Sequence, residues 1–266
     1  MKEDGGFDTP GAGKAPINRS LERGLEILRA FRAGTEYLGN GDISERTGLS
    51  KSTTSRLTQT LIHSGMLVYD RQHSAYRLAP ATLCFANAMY NSSSLVQLSA
   101  PLMREAANEL KVNVGLAAAD RDEMIYLESI RLSRKNTPRT VQTGQRVPME
   151  FTSLGRAYLA TIGTQERQAL MAHFKSRRCD ARWTVLETEI ADACESVRLR
   201  GYCAASWQAE VVAISTPLGI RNYQDHILNI SVSTPKSIEA VIAQYAKPLM
   251  ALADKIRASF FDSDGR

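Results

Sequence analysis

Apolar residues in the first eighty positions recur three or four apart, then switch to alternation. Leu21, Leu25, Leu28 and Phe31 predict a helix that opens at Ser20, carries Glu22 in its positive first turn, buries those four side chains and closes at Gly34. Ile43 and Thr47 lie on one face of a short second helix, and Gly48 supplies the left-handed turn that ends it. Leu49 plugs the corner. Ser50 is a good cap for a third helix over residues 51–64, in which Thr54, Leu57 and Leu61, with Ile62 beside them, form one buried stripe. Gly65 ends it. The runs MLVYD and SAYRL alternate apolar with polar residues around RQH and predict a two-stranded hairpin.

Further along, residues 80–90 predict a connecting helix interrupted by NSSS, and Leu95, Leu98, Leu102, Ala106 and Leu110 form another stripe that Pro101 should bend. After Lys111 the pattern becomes mixed. VNVGLAAA and MIYLESI flank the turn DRDE as a hairpin, and VVAISTPL and HILNISVST flank a GIRNYQD turn. Between them TSLGRAYLATI, ERQALMAHF and LETEIADACESVRLRG have helical patterns, and a long helix from Ile238 closes the chain. Strands, helices, strands and a helix describe an α+β domain, an antiparallel sheet with helices packed on it. The organisation predicted is a mobile tail over 1–16, a winged helix-turn-helix over 17–80, a linker helix over 81–95, and a second domain over 96–266.

The chemistry of the third helix turns this outline into a function. Opposite its buried stripe it carries Lys51, Ser52, Thr53, Ser55, Arg56 and Gln59, and no acidic residue occurs from Lys51 to Tyr69. Short hydroxyls let a helix approach phosphates and base edges, Lys and Arg neutralise phosphate charge, and Arg or Gln can pair bidentately with a purine edge. Arg71 and Arg77 add cations near the hairpin tip and on its returning strand. Double-stranded DNA is the partner this surface suits.

Bulk composition changes the picture little. The 266 residues carry a formal charge of +5, a mild preference for an anionic partner. Over residues 1–80 the balance is 11 basic to 9 acidic, so the electrostatic case rests on the acid-free helix. Cys84, Cys179, Cys194 and Cys203 have no C-x-x-C spacing, and no apolar run suits a signal segment or a membrane span. A reduced cytoplasm is the expected location, with no membrane partner.

Taken together, SLERGLEIL, ERTGLSKSTTSRLTQTL, the YRLAP strand end, EMIYLES, GQRVP followed by TSLGRAYLA, the GYC turn and ISVSTP resemble, in order and approximate spacing, the IclR family of bacterial transcription regulators. The resemblance covers about Ser20 to Phe260. It implies a dimeric or tetrameric repressor or activator whose second domain, GAF/profilin-like in fold, binds a small organic acid or aromatic metabolite as effector. Position by position it carries DNA reading to Lys51, Ser52, Thr53, Ser55 and Arg56, with Gln59 added on helical geometry. It carries the effector pocket to Ser153, Leu154, Ala213, Ser231 and Ser233. Ser231 and Ser233, two apart on one strand, face the same side and can donate to one carboxylate. The chain departs from the family in CAA at 203–205, in Ala213, and in Glu150 and Phe151 where many members have His and Ala. Such a pocket is less polar and suits an aromatic or larger ligand.

Catalysis and cofactors find no comparable support. His63, His73, His173 and His226 include no i, i+4 pair and no neighbouring Cys at ligand spacing, so no metal is expected. G-x-S-x-G is absent, Ser233 to Lys236 matches S-x-x-K only formally, and Gly11 to Lys14 lacks the spacing of a phosphate loop. The basic run Arg131, Arg134, Lys135, Arg139 and Arg146 reads as a solvated hairpin loop or as an anion site. Two alternatives remain at this level: a DNA-binding scaffold whose second domain only oligomerises, and an enzyme with an accessory DNA module.

Overall fold

The computed structural model describes residues 17–132, 142–177, 180–220 and 225–264. The tail predicted over 1–16, the centre of the basic run (Arg134, Lys135 and Arg139) and most of the GIRNYQD turn lie outside these residues. The chain divides into two compact units between Ser92 and Ser93.

The first unit holds α1 (Arg19–Arg29), α2 (Asn40–Thr47), α3 (Lys51–His63), the hairpin β1 (Leu67–Asp70) and β2 (Ala75–Leu78), and α4 (Ala81–Ser92). Its core gathers Ile27, Ala30, Leu38, Ile43, Leu67 and Tyr76, with Phe31, Leu49, Leu57, Leu61 and Ile62 packed against them. Asp42 in the first turn of α2 accepts the Gly39 amide at 2.8 Å, and Gly48 ends that helix in the left-handed conformation at φ 69°. The hairpin is in register from Leu67 opposite Leu78 to Asp70 opposite Ala75. Leu38 is bridged to Tyr76 through paired backbone bonds of 2.9 and 2.8 Å, which adds a third extended segment to the wing.

Three sequence expectations fail here. Asn18 rather than Ser20 caps α1, accepting the amides of Ser20 and Leu21 at 3.1 Å. The buried face of α1 runs through Gly24 and Ile27, whereas Leu21 is 62% and Leu25 49% exposed. Apolar residues cover two adjoining faces of this helix, and periodicity cannot tell which of the two meets the core. In α3 the fully buried positions are Thr54 and Thr58, while Leu57 and Leu61 are half-buried at the edge of the stripe.

The second unit is a six-stranded antiparallel sheet in the order β5-β4-β3-β8-β7-β6. It is formed by β3 (Asn113–Asp120), β4 (Glu123–Ile130), β5 (Arg146–Pro148), β6 (Cys203–Gln208), β7 (Val211–Pro217) and β8 (His226–Ser233). The two flanking strands, β5 and β6, were not predicted. β5 is only three residues long, and β6, CAASWQ, opens with three consecutive small residues in place of an apolar–polar alternation. The helices are α5 (Ser94–Leu110), α6 (Ser153–Thr161), α7 (Thr164–Ser176), α8 (Asp180–Arg200) and α9 (Ile238–Asp264). Ala117, Tyr126, Cys203 and Ile227 form one core with Leu154, Ala157 and Leu159 of α6, Phe174 of α7 and Trp183, Leu186 and Ile190 of α8. The alternating neighbours Leu116, Ile214, Leu228 and Ile230, also buried, occupy the opposite face, where α5 and α9 pack on each other and on the sheet. None of the helices among the described residues is long and apolar enough to cross a membrane.

Candidate functional site

The first candidate surface is α3. Ser50 caps it by accepting the Thr53 amide at 3.2 Å, and its own hydroxyl bonds Thr53 Oγ1 at 2.9 Å. Half-buried Thr53 is therefore engaged locally, whereas Lys51, Ser52, Ser55, Arg56 and Gln59 are all exposed. The separation follows from the helical repeat: Thr54 and Thr58 bury one side and the polar set occupies the other. Ser44 Oγ donates to Leu49 O at 2.6 Å and Asn40 Nδ2 donates to Lys51 O at 3.1 Å, tying α2 to the start of α3. The helix is presented from a braced corner.

The wing follows at once. Arg71 in its turn and Arg77 on β2 are exposed. The turn is organised by Asp70, which accepts the His73 backbone amide at 2.9 Å and meets the His73 ring nitrogen at 3.0 Å. These bonds, the backbone one foremost, hold the Asp70 carboxyl below the usual carboxylate range. Tyr37 stacks on His73 with ring centroids 4.3 Å apart.

The second candidate surface is the α6 side of the sheet. Gly155 lets α6 begin pressed against the preceding turn: a Cβ there would stand 2.1 Å from Met149 O and 2.3 Å from its Cα. Thr152 caps the helix by accepting the Gly155 amide at 3.2 Å. Arg156 is anchored by Glu150 O at 3.0 Å and Glu189 Oε2 at 2.5 Å. Ser153 Oγ then meets Ser215 Oγ at 2.7 Å, which fixes the side to which Ser215 points. Residues paired directly across an antiparallel sheet share a face. Ser215 pairs with Asn229 and with Cys203, Ala213 pairs with Ser231 and with Ala205, and Val211 pairs with Ser233.

Of the five residues proposed for the pocket, Ser153, Ala213, Ser231 and Ser233 thus share this side. Leu154, 1% exposed, is sealed in the core. A helix turns about 100° per residue, so Ser153 and Leu154 cannot point the same way. Ser231 and Ser233 border a cleft of about 330 Å³ at the end of the sheet, shared with Lys111, Asn113 and Lys236 and walled on the far side by Val241 and Tyr245 of α9; Ser153 and Ala213 do not line it. Lys111 and the buried Ser215 and Asn229 were not singled out in the sequence. Asn229 was legible, because it precedes Ser231 by the two-residue strand period.

Arg146 of the basic run is neutralised by Asp120 at 2.5 Å and Glu123 at 3.2 Å, so it serves the β3-β4-β5 edge. Burial pushes the Cys203 thiol up to about 12, which keeps it protonated at neutral pH and inert.

Residues 20–71 match the IclR helix-turn-helix domain and residues 87–258 match the bacterial transcriptional regulator IclR C-terminal domain. The Pca regulon regulatory protein of Pseudomonas putida is 24% identical over 240 residues, covering 89% of this chain and 81% of that protein. The crystal structure of an IclR family transcriptional regulator from Brucella abortus superposes with a TM-score of 0.82 at 29% identity, over 92% of this chain and 93% of that one. An IclR homolog from Microbacterium hydrocarbonoxydans, solved in complex with 4-hydroxybenzoate, shares the fold with a TM-score of 0.67 at 19% identity, over 90% and 98% of the two chains.

Proposed function

We propose, because the chain belongs to the IclR family of bacterial transcriptional regulators, that it controls a catabolic operon in response to a small organic acid or aromatic metabolite bound in its second unit. It is a DNA-binding regulator of the helix-turn-helix type and its relatives are regulators, not enzymes. The observation that carries the finer reading is the exposed row Lys51, Ser52, Ser55, Arg56 and Gln59 on a helix braced at its start. In this reading α3 enters the major groove, Arg71 and Arg77 touch phosphates from the wing, and the cytoplasm is the place of work.

Two protomers reading a pseudo-palindrome is the arrangement the first unit supports. Ile17, Leu21 and Leu25, spaced four apart, are 75, 62 and 49% exposed, and Leu83, Phe85 and Met89 of α4 are exposed as well. Burying large apolar side chains of this kind against a second copy contributes about 1.5 to 3 kcal/mol each, and two-fold symmetry would set the half-sites about 34 Å apart or a multiple of it. The effector reading rests on the cleft. Ser231 and Ser233 donate to a carboxylate there, and Lys111 and Lys236 supply positive charge. Coupling requires only that the ligand prefer one arrangement of the second unit over another.

Footprinting of purified protein on the intergenic regions beside its gene, with and without candidate carboxylates, is the test. A protected pseudo-palindrome whose occupancy or transcriptional output responds to one acid is the outcome expected. Protection that no acid alters, with no acid raising the melting temperature, would leave a DNA-binding scaffold; turnover of an acid would point to an enzyme.

A further inference from the structure

The tip of the wing holds an imidazole from two directions and leaves one edge of it free. Asp70, at the end of β1, accepts both the backbone amide of His73 at 2.9 Å and its ring Nδ1 at 3.0 Å. These bonds, the backbone one foremost, keep the Asp70 carboxyl below its ordinary range and so ionised at neutral pH. A carboxylate can only accept, so Nδ1 carries the proton of that pair and Nε2 is the open position of the ring. The face of the ring lies on Tyr37, with centroids 4.3 Å apart and planes 21° from parallel. The Tyr37 hydroxyl is engaged in turn by the Glu36 carboxylate, which pushes the phenol up. His73 Nε2 has no partner among the described residues, and the side chain is 48% exposed.

A surface side chain fixed at its edge and on its face has given up rotamer freedom that a solvated histidine keeps. What the fixing presents is a single ring nitrogen. The charges around it are balanced: Glu36 and Asp70 stand by the stack with Arg77, and Arg71 follows Asp70 in the turn. Two carboxylates and two guanidiniums cancel, so this group carries net charge only when His73 is protonated. Neutral, the ring meets a phosphate with a bare acceptor, and two carboxylates add to the repulsion. Protonated, it offers a donor and the positive charge that the duplex backbone attracts. Imidazole is the side chain that ordinarily changes between these two states near neutral pH.

We infer that His73 is a DNA-contacting residue of the wing: as the duplex meets the tip, Nε2 takes up a proton from solvent and donates it in a hydrogen bond to a backbone phosphate, so that each engaged wing binds one proton. This rests on the reading above in which the wing touches phosphates. Asp70 holds Nδ1–H and balances the imidazolium, and Tyr37 is a positioning residue that sets the plane of the ring. The sign follows from linkage. The complex prefers the protonated ring, so affinity is greatest in mild acid and falls as pH rises through the imidazole range, by at most about tenfold per pH unit for each wing.

Fluorescence-anisotropy titration of the full chain onto the duplex protected in the footprint, at about pH 6 and about pH 8 and at constant ionic strength, tests the inference. Calorimetry in two buffers of unlike ionisation heat counts the protons. The parent should bind about tenfold more tightly at the lower pH and take up protons as it binds. His73→Gln, uncharged at both pH values, should bind as the parent does at the higher pH and lose both the gain and the uptake. Tyr37→Leu should keep the affinity at the higher pH and shrink the gain, whereas His63→Gln, outside the wing, should keep gain and uptake alike. No uptake in the parent, or an undiminished gain in His73→Gln or in Tyr37→Leu, overturns the inference and leaves DNA binding by α3 intact. So does an equal loss of affinity by His73→Gln at both pH values, which is what a merely structural role would give. If no duplex is protected at all, the operator reading falls and the role of His73 with it.

Discussion

The two units of this chain treat polar side chains in opposite ways. The first keeps its long and charged ones outside: Lys51, Ser52, Ser55, Arg56 and Gln59 stand exposed on α3, and the polar side chains it buries on that helix are the short hydroxyls of Thr54 and Thr58. The second draws them in: Ser153, Arg156, Ser215 and Asn229 are each less than 9% exposed, beside a core that would gain more from apolar groups. An outward polar face suits a large, rigid and charged partner such as a duplex, which brings its own surface and needs no cavity. Polar groups inside suit a small partner that must be surrounded to be recognised. It follows that substitutions in the second unit should disturb stability and function together, whereas those on α3 should separate them.

Gly155→Val should have the largest effect. The added side chain overlaps the Met149 backbone, which cannot move aside as a flexible side chain would, so the second unit should lose about 3 kcal/mol or more. Chemical denaturation followed by Trp183 and Trp207 fluorescence, both in that unit, reads this loss. Arg156→Ala comes next. It removes the bonds to Glu150 O and Glu189 from a side chain that is 8% exposed, and about 2 kcal/mol is expected by the same measurement. The cost is limited because Glu189, 51% exposed, is rehydrated once its partner is gone.

Arg56→Ala is the sharp converse. Specific operator affinity should fall by about 1 to 3 kcal/mol if the guanidinium reads a base, or the salt slope should shrink if it holds a phosphate, while the unfolding midpoint stays within about 0.5 kcal/mol of the parent. A change in stability as large as the change in affinity would break the contrast between the units. Asp70→Asn should have the smallest effect, confined to the wing. A carboxyl held below its ordinary pKa stabilises the fold at neutral pH and loses that contribution as pH falls through its folded-state value. The His73 amide should therefore exchange faster in the variant at neutral pH, with the difference from the parent vanishing in acid.

Legibility in the sequence differed between the units for the same reason. The helix-turn-helix is a local device, written in Gly48, Ser50 and a helix with one polar side, and the neighbours that decide it are at most a few turns away. The polar set of the second unit is assembled from Ser153, Ser215, Asn229 and Ser231, which are far apart in the chain. Strand period marks Asn229 and Ser231 as sharing a face but does not say that Gly115 stands opposite, or that α6 covers that side.

What the sequence by itself determined is whatever depends on the order and spacing of residues: an α+β chain of two units, the winged helix-turn-helix with its glycine corner, the course of the four longer strands, and membership of the family. Tertiary structure alone decided which of two apolar faces of α1 is buried, that short β5 and β6 complete the sheet, that Leu154 belongs to the core, and that Asn229 and Tyr126 meet. Those outcomes turn on contacts between distant segments, where a side chain's fate depends on what arrives opposite it.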